Sequence, residues 1–362
     1  MGKDGSRRSF MALAGAAVTA SLAGCFGGEE NDGNNGNGTD DGEEGFPAYD
    51  LPRHSEWVPT DRHDEGDVFF THLDWEPIDE LDSDGDPDED EETEDVIEQI
   101  PILGLPLYGG SISPLAVFGI AFYPFSGDVL PENGQTTEGI GTSTMTWVGE
   151  TLVFHGEFDS DVFADEYADG FEETDEQEGF TLYVGDDGFT EGLAYAISED
   201  TLVVGMTPGE DDEYVPEEVV SDALDRYGEA TDRVVDDEDG EWLFETTGEA
   251  QMALGAWQTE DLMAALDPED DVEEDVDDEP DAEPDVEGNP VFDDVESLIN
   301  TITFSVEDGE MRDIEARFSG IYPNDGAPSE DEVREQLIRE DVPHEIVIDG
   351  NRVHATATFE DV

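Results

Sequence analysis

One thiol, Cys25, and six imidazoles, at positions 54, 63, 72, 155, 344 and 354, stand among 101 acidic side chains. A single cysteine excludes an intramolecular disulfide and any multi-cysteine metal site, so its chemistry has to be of another kind. His54, His63 and His72 recur every nine residues, but that interval matches no known ligand spacing and crosses Pro59 and Gly66. No metal ligands are expected from it. Residues 82–90 read DSDGDPDED, and alternate aspartates are the hard oxygen donors a calcium loop uses. Such a loop needs glycine at its sixth position. Here the sixth residue is Pro87, and unstructured cation condensation is the expectation. There is no G-x-S-x-G elbow, H-E-x-x-H pair, Walker loop or G-x-G-x-x-G turn after a strand. Carboxylate pairs can be drawn anywhere in so acidic a chain and discriminate nothing, because a working pair is marked by burial and a shifted pKa. The sequence therefore predicts no catalytic residue, no cofactor and no metal.

The N-terminus is more specific. Arg7 and Arg8 precede an uncharged run from Phe10 to Ala23, which ends in Leu22-Ala23-Gly24-Cys25. A positive segment, a short apolar segment and small residues before a cleavage point make a signal peptide. Fourteen residues are too few to cross a hydrocarbon core that needs about 20. The adjacent arginines mark the twin-arginine type. In these features the chain resembles the Tat-exported lipoproteins of haloarchaea. The resemblance implies export in a folded state, cleavage before Cys25, and lipid on the Cys25 thiol at the outer face of the cytoplasmic membrane. The expected divisions are 1–24 as signal peptide and 25–45 as the lipidated cysteine with an acidic Gly/Asn tether. A tether of roughly 20 residues spans about 25 Å as a random coil.

Cleavage before Cys25 leaves nine basic residues, all arginine, against 100 acidic ones, a net charge near −91 compared with −89 for the whole chain. A surface of this kind suits molar salt, where the screening length falls to about 3 Å. Disorder also shows high charge, but 36% hydrophobic and 9% aromatic residues in periodic segments argue for a folded domain. Nucleic acid is excluded as a partner, because its phosphates require clustered Lys and Arg.

The elements that must carry any function follow from periodicity and turn chemistry. Strands are expected at 67–75, at 143–154 about a Gly149 turn, and at 179–184, 193–197, 201–205 and 250–257. Further strands are expected at 301–306, 312–319, 344–348 and 352–359. Helices are expected at 159–169, 216–227, 241–246, 260–266 (capped by Thr259) and 291–300, and from the capping box Ser329-x-x-Glu332 to Arg339. Ile100 to Phe125 is 26 residues without charge, but four prolines and four glycines break it, so a short helix and a buried strand at 115–123 are expected in place of a membrane span.

The fold class expected is α+β, with antiparallel sheets and helices on one face. The order of elements recurs along the chain. A strand followed by an acidic insertion at 82–95 matches a strand followed by an acidic insertion at 267–288, and the hairpin 179–198 matches 343–360. This predicts two similarly organised halves, 46–248 and 249–362, with 216–247 as a bridge, and chance recurrence of a common order stands as the alternative. Over about 65–260 the order is similar to a family of exported proteins of unknown function seen in haloarchaea and bacteria.

The functional expectation is a non-enzymatic lipoprotein of a halophile, binding or structural, attached through Cys25 and meeting envelope proteins. The alternative is a solute-binding lipoprotein of a membrane transporter. A carboxylate-based hydrolase comes third.

Overall fold

The computed structural model describes residues 45–60, 68–74, 77, 101–104, 106, 140–167, 170–185, 190, 192–206, 215–229, 231–258, 290–293, 295–307, 310–323, 326–338 and 342–359. Arg7, Arg8, Leu22, Ala23, Gly24, Cys25, the tether, both acidic insertions, the helix expected at 260–266 and the strand expected at 115–123 lie outside the described residues.

Twelve strands form one antiparallel sheet: β1 (Val68–Asp74), β2 (Ile140–Val148), β3 (Thr151–Phe158), β4 (Phe171–Gln177), β5 (Phe180–Gly185), β6 (Leu193–Ile197), β7 (Thr201–Met206), β8 (Met252–Trp257), β9 (Ser297–Glu307), β10 (Glu310–Ile321), β11 (His344–Asp349) and β12 (Arg352–Phe359). Their spatial order is β11-β12-β10-β9-β8-β1-β2-β3-β7-β6-β5-β4. From the central β1–β8 pair the sheet therefore runs outward as β2-β3-β7-β6 on one side and β9-β10-β12-β11 on the other. The hairpin in the place of β11–β12 is thus β6–β7. The expected match of 179–198 to 343–360 is shifted by one strand, because β4 and β5 add a hairpin at one edge only.

Hairpin turns set the register. Gly149 at φ 54° joins β2 to β3, and Gly350 at φ 64° joins β11 to β12, both in the left-handed region that glycine adopts without strain. The edge strand β4, FEETDEQ, is not among the strands expected from the sequence. It has no apolar alternation, and pairing with β5 from Phe171↔Gly185 to Gln177↔Phe180 holds it in place. Its exposed carboxylates guard an edge that could otherwise pair with another chain.

The described helices are few and short: α1 (Pro101–Gly104), α2 (Ser160–Tyr167), α3 (Pro216–Glu229), α4 (Glu238–Thr247), α5 (Pro290–Asp293) and α6 (Glu330–Leu337). Asp159 caps α2 by accepting from the backbone N–H of Asp161 and Val162 at 3.0 and 3.1 Å. Ser329 and Glu332 close the capping box of α6. The helix expected over 291–300 stops at Asp293. Ser297–Glu307 instead pairs with β8 and β10, and those ladders outweigh a helix-like spacing of apolar residues.

Helices meet both faces of the sheet, which corrects the one-face expectation. Alternation puts Val68, Phe70 and His72 on one face of β1 and Phe69, Thr71 and Leu73 on the other. On the first face Val68, Phe70, Val148 and Ile299 pack against Leu243 and Phe244 of α4. Farther along that face Val153, Leu182, Ala196 and Val203 pack against Val220, Ala223 and Leu224 of α3. On the second face Leu73, Phe154, Tyr195, Leu254 and Phe318 meet Ile102 of α1, Phe163 of α2, Phe292 of α5, and Val333 and Leu337 of α6. The reason lies in the strands: all six residues of β8, MALGAW, are buried. A strand apolar on both faces needs cover on both, since each buried large side chain contributes about 1.5–3 kcal/mol.

Candidate functional site

An N-terminal arm, residues 45–60, crosses the α3/α4 face. The backbone N–H of Tyr49 donates to the Glu245 carbonyl at 2.8 Å, and Thr60 N–H donates to the Asp232 carbonyl at 2.9 Å. Pro59 bridges to Arg233. Within the arm, the Pro52 carbonyl accepts from both the backbone N–H and the hydroxyl of Ser55, at 3.0 and 2.7 Å, winding Arg53–Trp57 into a 3-10 turn. That turn drives His54 down onto the central strand.

There the His54 ring stacks on His72 of β1, with centroids 4.1 Å apart and planes 19° from parallel. Phe70 and Phe244 flank His54 at 5.9 and 5.7 Å. Both histidines are buried. Ligand-capable atoms of His54, His72 and Glu249 all lie within 4.8 Å of one another. Glu249 follows Gly248, which ends α4 at φ 64°, and it stands exposed at the rim. The Arg53 backbone N–H favours the charged form of the Glu249 carboxylate.

The electrostatics keep the imidazoles neutral. Burial, followed by the charges of His72 and His155, pushes His54 well below the ordinary histidine value. Burial and then His155 bring His72 down to about 3, against a raising effect of the Met145 carbonyl. His155 falls to about 4, through burial first and the Arg53 guanidinium second. Glu249 moves upward, chiefly because its neighbours strip water from the carboxyl although the residue as a whole is exposed, and also by the Asp74 charge, with the Arg53 backbone N–H opposing.

Each buried histidine on a strand faces a hydroxyl on the neighbouring strand. His72 Nδ1 lies 2.9 Å from Thr146 Oγ1, His155 Nδ1 lies 3.2 Å from Thr201 Oγ1, and His354 Nδ1 lies 2.9 Å from Ser319 Oγ. All three pairs are directly cross-strand. The His354 group is closed: Nε2 meets Thr356 Oγ1 at 3.0 Å, and Ser319 Oγ meets Thr246 Oγ1 at 2.7 Å. A Ser–His pair sealed this way, with Ser319 at 0% exposure, has no route to a substrate. The His54–His72 group is open by contrast. His72 Nε2 and His54 Nδ1 are buried with no hydrogen-bond partner among the described residues.

Two of the three histidines at nine-residue spacing, His54 and His72, are thus stacked, and His63 lies outside the described residues. Sequence reading missed Glu249, one carboxylate among 101, whose only local signal is the glycine before it. Arg7, Arg8 and Leu22 to Cys25, the residues expected to carry export and lipidation, lie outside the described residues. No known protein family, curated protein or solved structure matches the chain.

Proposed function

We propose that the chain is an exported lipoprotein, held at the outer face of the cytoplasmic membrane by lipid on Cys25. Its sheet domain then has a non-enzymatic binding or structural role in molar salt. The observation that carries this reading is the ordered run Arg7-Arg8, apolar segment, Leu22-Ala23-Gly24-Cys25 and acidic tether, ahead of a domain whose described part begins at Gly45. The same reading takes the sheet as two similarly organised halves, 46–248 and 249–362, meeting at β1–β8. A hydrolase built on two carboxylates gains little support: among the described carboxylates the one pushed upward, Glu249, faces histidines. A transporter-linked binding protein calls for two lobes about a hinge, whereas the described strands form one sheet.

One acyl chain gives only marginal membrane binding and two give stable attachment. The tether's carboxylates are repelled by anionic headgroups. Lipid must then supply the attachment alone. In detergent-phase partitioning with a radiolabelled lipid precursor, wild type should take label and enter the detergent phase, and Cys25→Ser should take none. Unlabelled wild-type protein in the aqueous phase would sink the reading. Separately, replacing Arg7 and Arg8 by lysine should leave precursor in the cytoplasm. Affinity purification from membranes at molar salt reads the partner, and a co-purifying permease would replace the structural role with the transporter one.

A further inference from the structure

We infer that His54, His72 and Glu249 form a binding site for one divalent ion of the zinc class, which clamps the N-terminal arm to the centre of the sheet. Three observations carry this independently of how the protein is exported or anchored. The first is convergence: two imidazoles and a carboxylate from three separated elements bring ligand atoms within 4.8 Å of one another. The second is vacancy of valence. His72 Nε2 and His54 Nδ1 are buried without partners among the described residues, and burying a polar group unsatisfied is unfavourable unless something compensates it. The third is preorganisation. His72 has its other nitrogen on Thr146 Oγ1, the kind of outer contact that orients a metal ligand.

The donor set selects the metal. Imidazole nitrogens with one carboxylate suit zinc and its neighbours, whereas calcium and magnesium take oxygen ligands throughout. The stacked rings hold their lone pairs in nearly parallel planes. Zinc bonds of about 2.0–2.2 Å therefore require one imidazole to tilt toward the other as well as the exposed Glu249 side chain to swing inward from 4.8 Å. Three protein ligands leave a fourth position for water. The aromatic walls of Phe70 and Phe244 exclude water from the histidine side, so the ion approaches past Glu249, where the Asp74 charge also attracts it.

The test uses the purified full chain at about 2 M KCl, where the short screening length weakens diffuse binding to surface carboxylates, with excess calcium present to occupy what remains. Titration with zinc followed by calorimetry should show one tight site per chain. Cobalt should give visible d–d absorption from a low-symmetry site, and either ion should raise the Tm by several degrees. Glu249→Gln, at the exposed rim, should keep the native circular dichroism and weaken zinc binding by about tenfold or more, the scale on which metal sites respond even to altered outer contacts. His72→Gln should abolish the cobalt band. Absence of a saturable one-to-one event in the wild type overturns the assignment. So does a folded Glu249→Gln protein that binds zinc and raises its Tm as the wild type does, because the bound ion would then sit elsewhere.

Discussion

His72 stands directly opposite Thr146 in the β1–β2 ladder, its Nδ1 2.9 Å from the hydroxyl, at 5% and 0% exposure respectively. The hydroxyl engages one ring nitrogen and leaves the other, Nε2, buried without a partner among the described residues. Thr146→Val keeps the shape and removes the hydroxyl, so Nδ1 loses its partner in a dry site. A loss of about 1–3 kcal/mol is expected. Urea unfolding measures it, with Thr146→Ser as the control that should stay near wild type. Equal stability of the Val and Ser proteins would show that the pair contributes nothing.

Gly255 faces Phe70 across the β1–β8 ladder, and a Cβ at this glycine would lie 2.1 Å from a ring carbon. Neither the central strand nor the ring, packed on Phe244 at 5.5 Å, has room to yield. Gly255→Ala should cost about 1–3 kcal/mol, the usual range for overpacking. Adding Phe70→Leu to it should cost less than the sum of the two single changes. Strict additivity in the double-mutant cycle would mean that the ring does not occupy this space.

Acid should expose the buried His354. Burial, and secondarily the Arg317 charge, lower it from 6.5 to about 4. The unfolded chain takes up its proton first, so between about pH 6.5 and 4 the unfolded state binds more protons. Stability then falls with falling pH in that window and is flat above it. His354→Gln removes this contribution. The stability of wild type relative to the variant should therefore decline from about pH 7 to pH 4, by about 3 kcal/mol at full extent. A constant difference across that range would show that His354 does not titrate as described.

Salt should hold the domain together. A charge of −89 is tolerated where screening is short-ranged and opposes compaction in dilute buffer. Circular dichroism during dialysis from about 3 M to about 0.1 M KCl should show loss of native signal. A spectrum unchanged at the lower salt would rule this out.

Most strands were legible in the sequence because their signals are local. Alternation in VFFTHLD and the Asp-Gly-Asn turn at 349–351 define β1 and the β11–β12 hairpin without reference to the rest of the chain. Where partners decide, local reading fails. Val291, Phe292, Val295, Leu298 and Ile299 have the spacing of a helix face, yet Leu298 and Ile299 are strand residues because β8 and β10 lie on either side. FEETDEQ has no pattern, and β5 alone makes it a strand. The candidate site was illegible for the same reason. Eighteen positions separate His54 from His72, and only the arm's bonds to Glu245 and Asp232 place one ring on the other.

The β1–β8 pairing ties His72 to Ala253, and this has a consequence for biosynthesis. β1 leaves the ribosome about 180 residues before the strand that covers one of its sides. At 5–20 residues per second the delay is roughly 10–40 s, long compared with hairpin formation in microseconds. During that interval β1 is an apolar edge open to other nascent chains. The central seam closes only after nearly three quarters of the polypeptide exists, so folding is largely post-translational and limited by a long-range contact. Truncation anywhere before Met252 should therefore yield an aggregating fragment in place of a smaller folded domain.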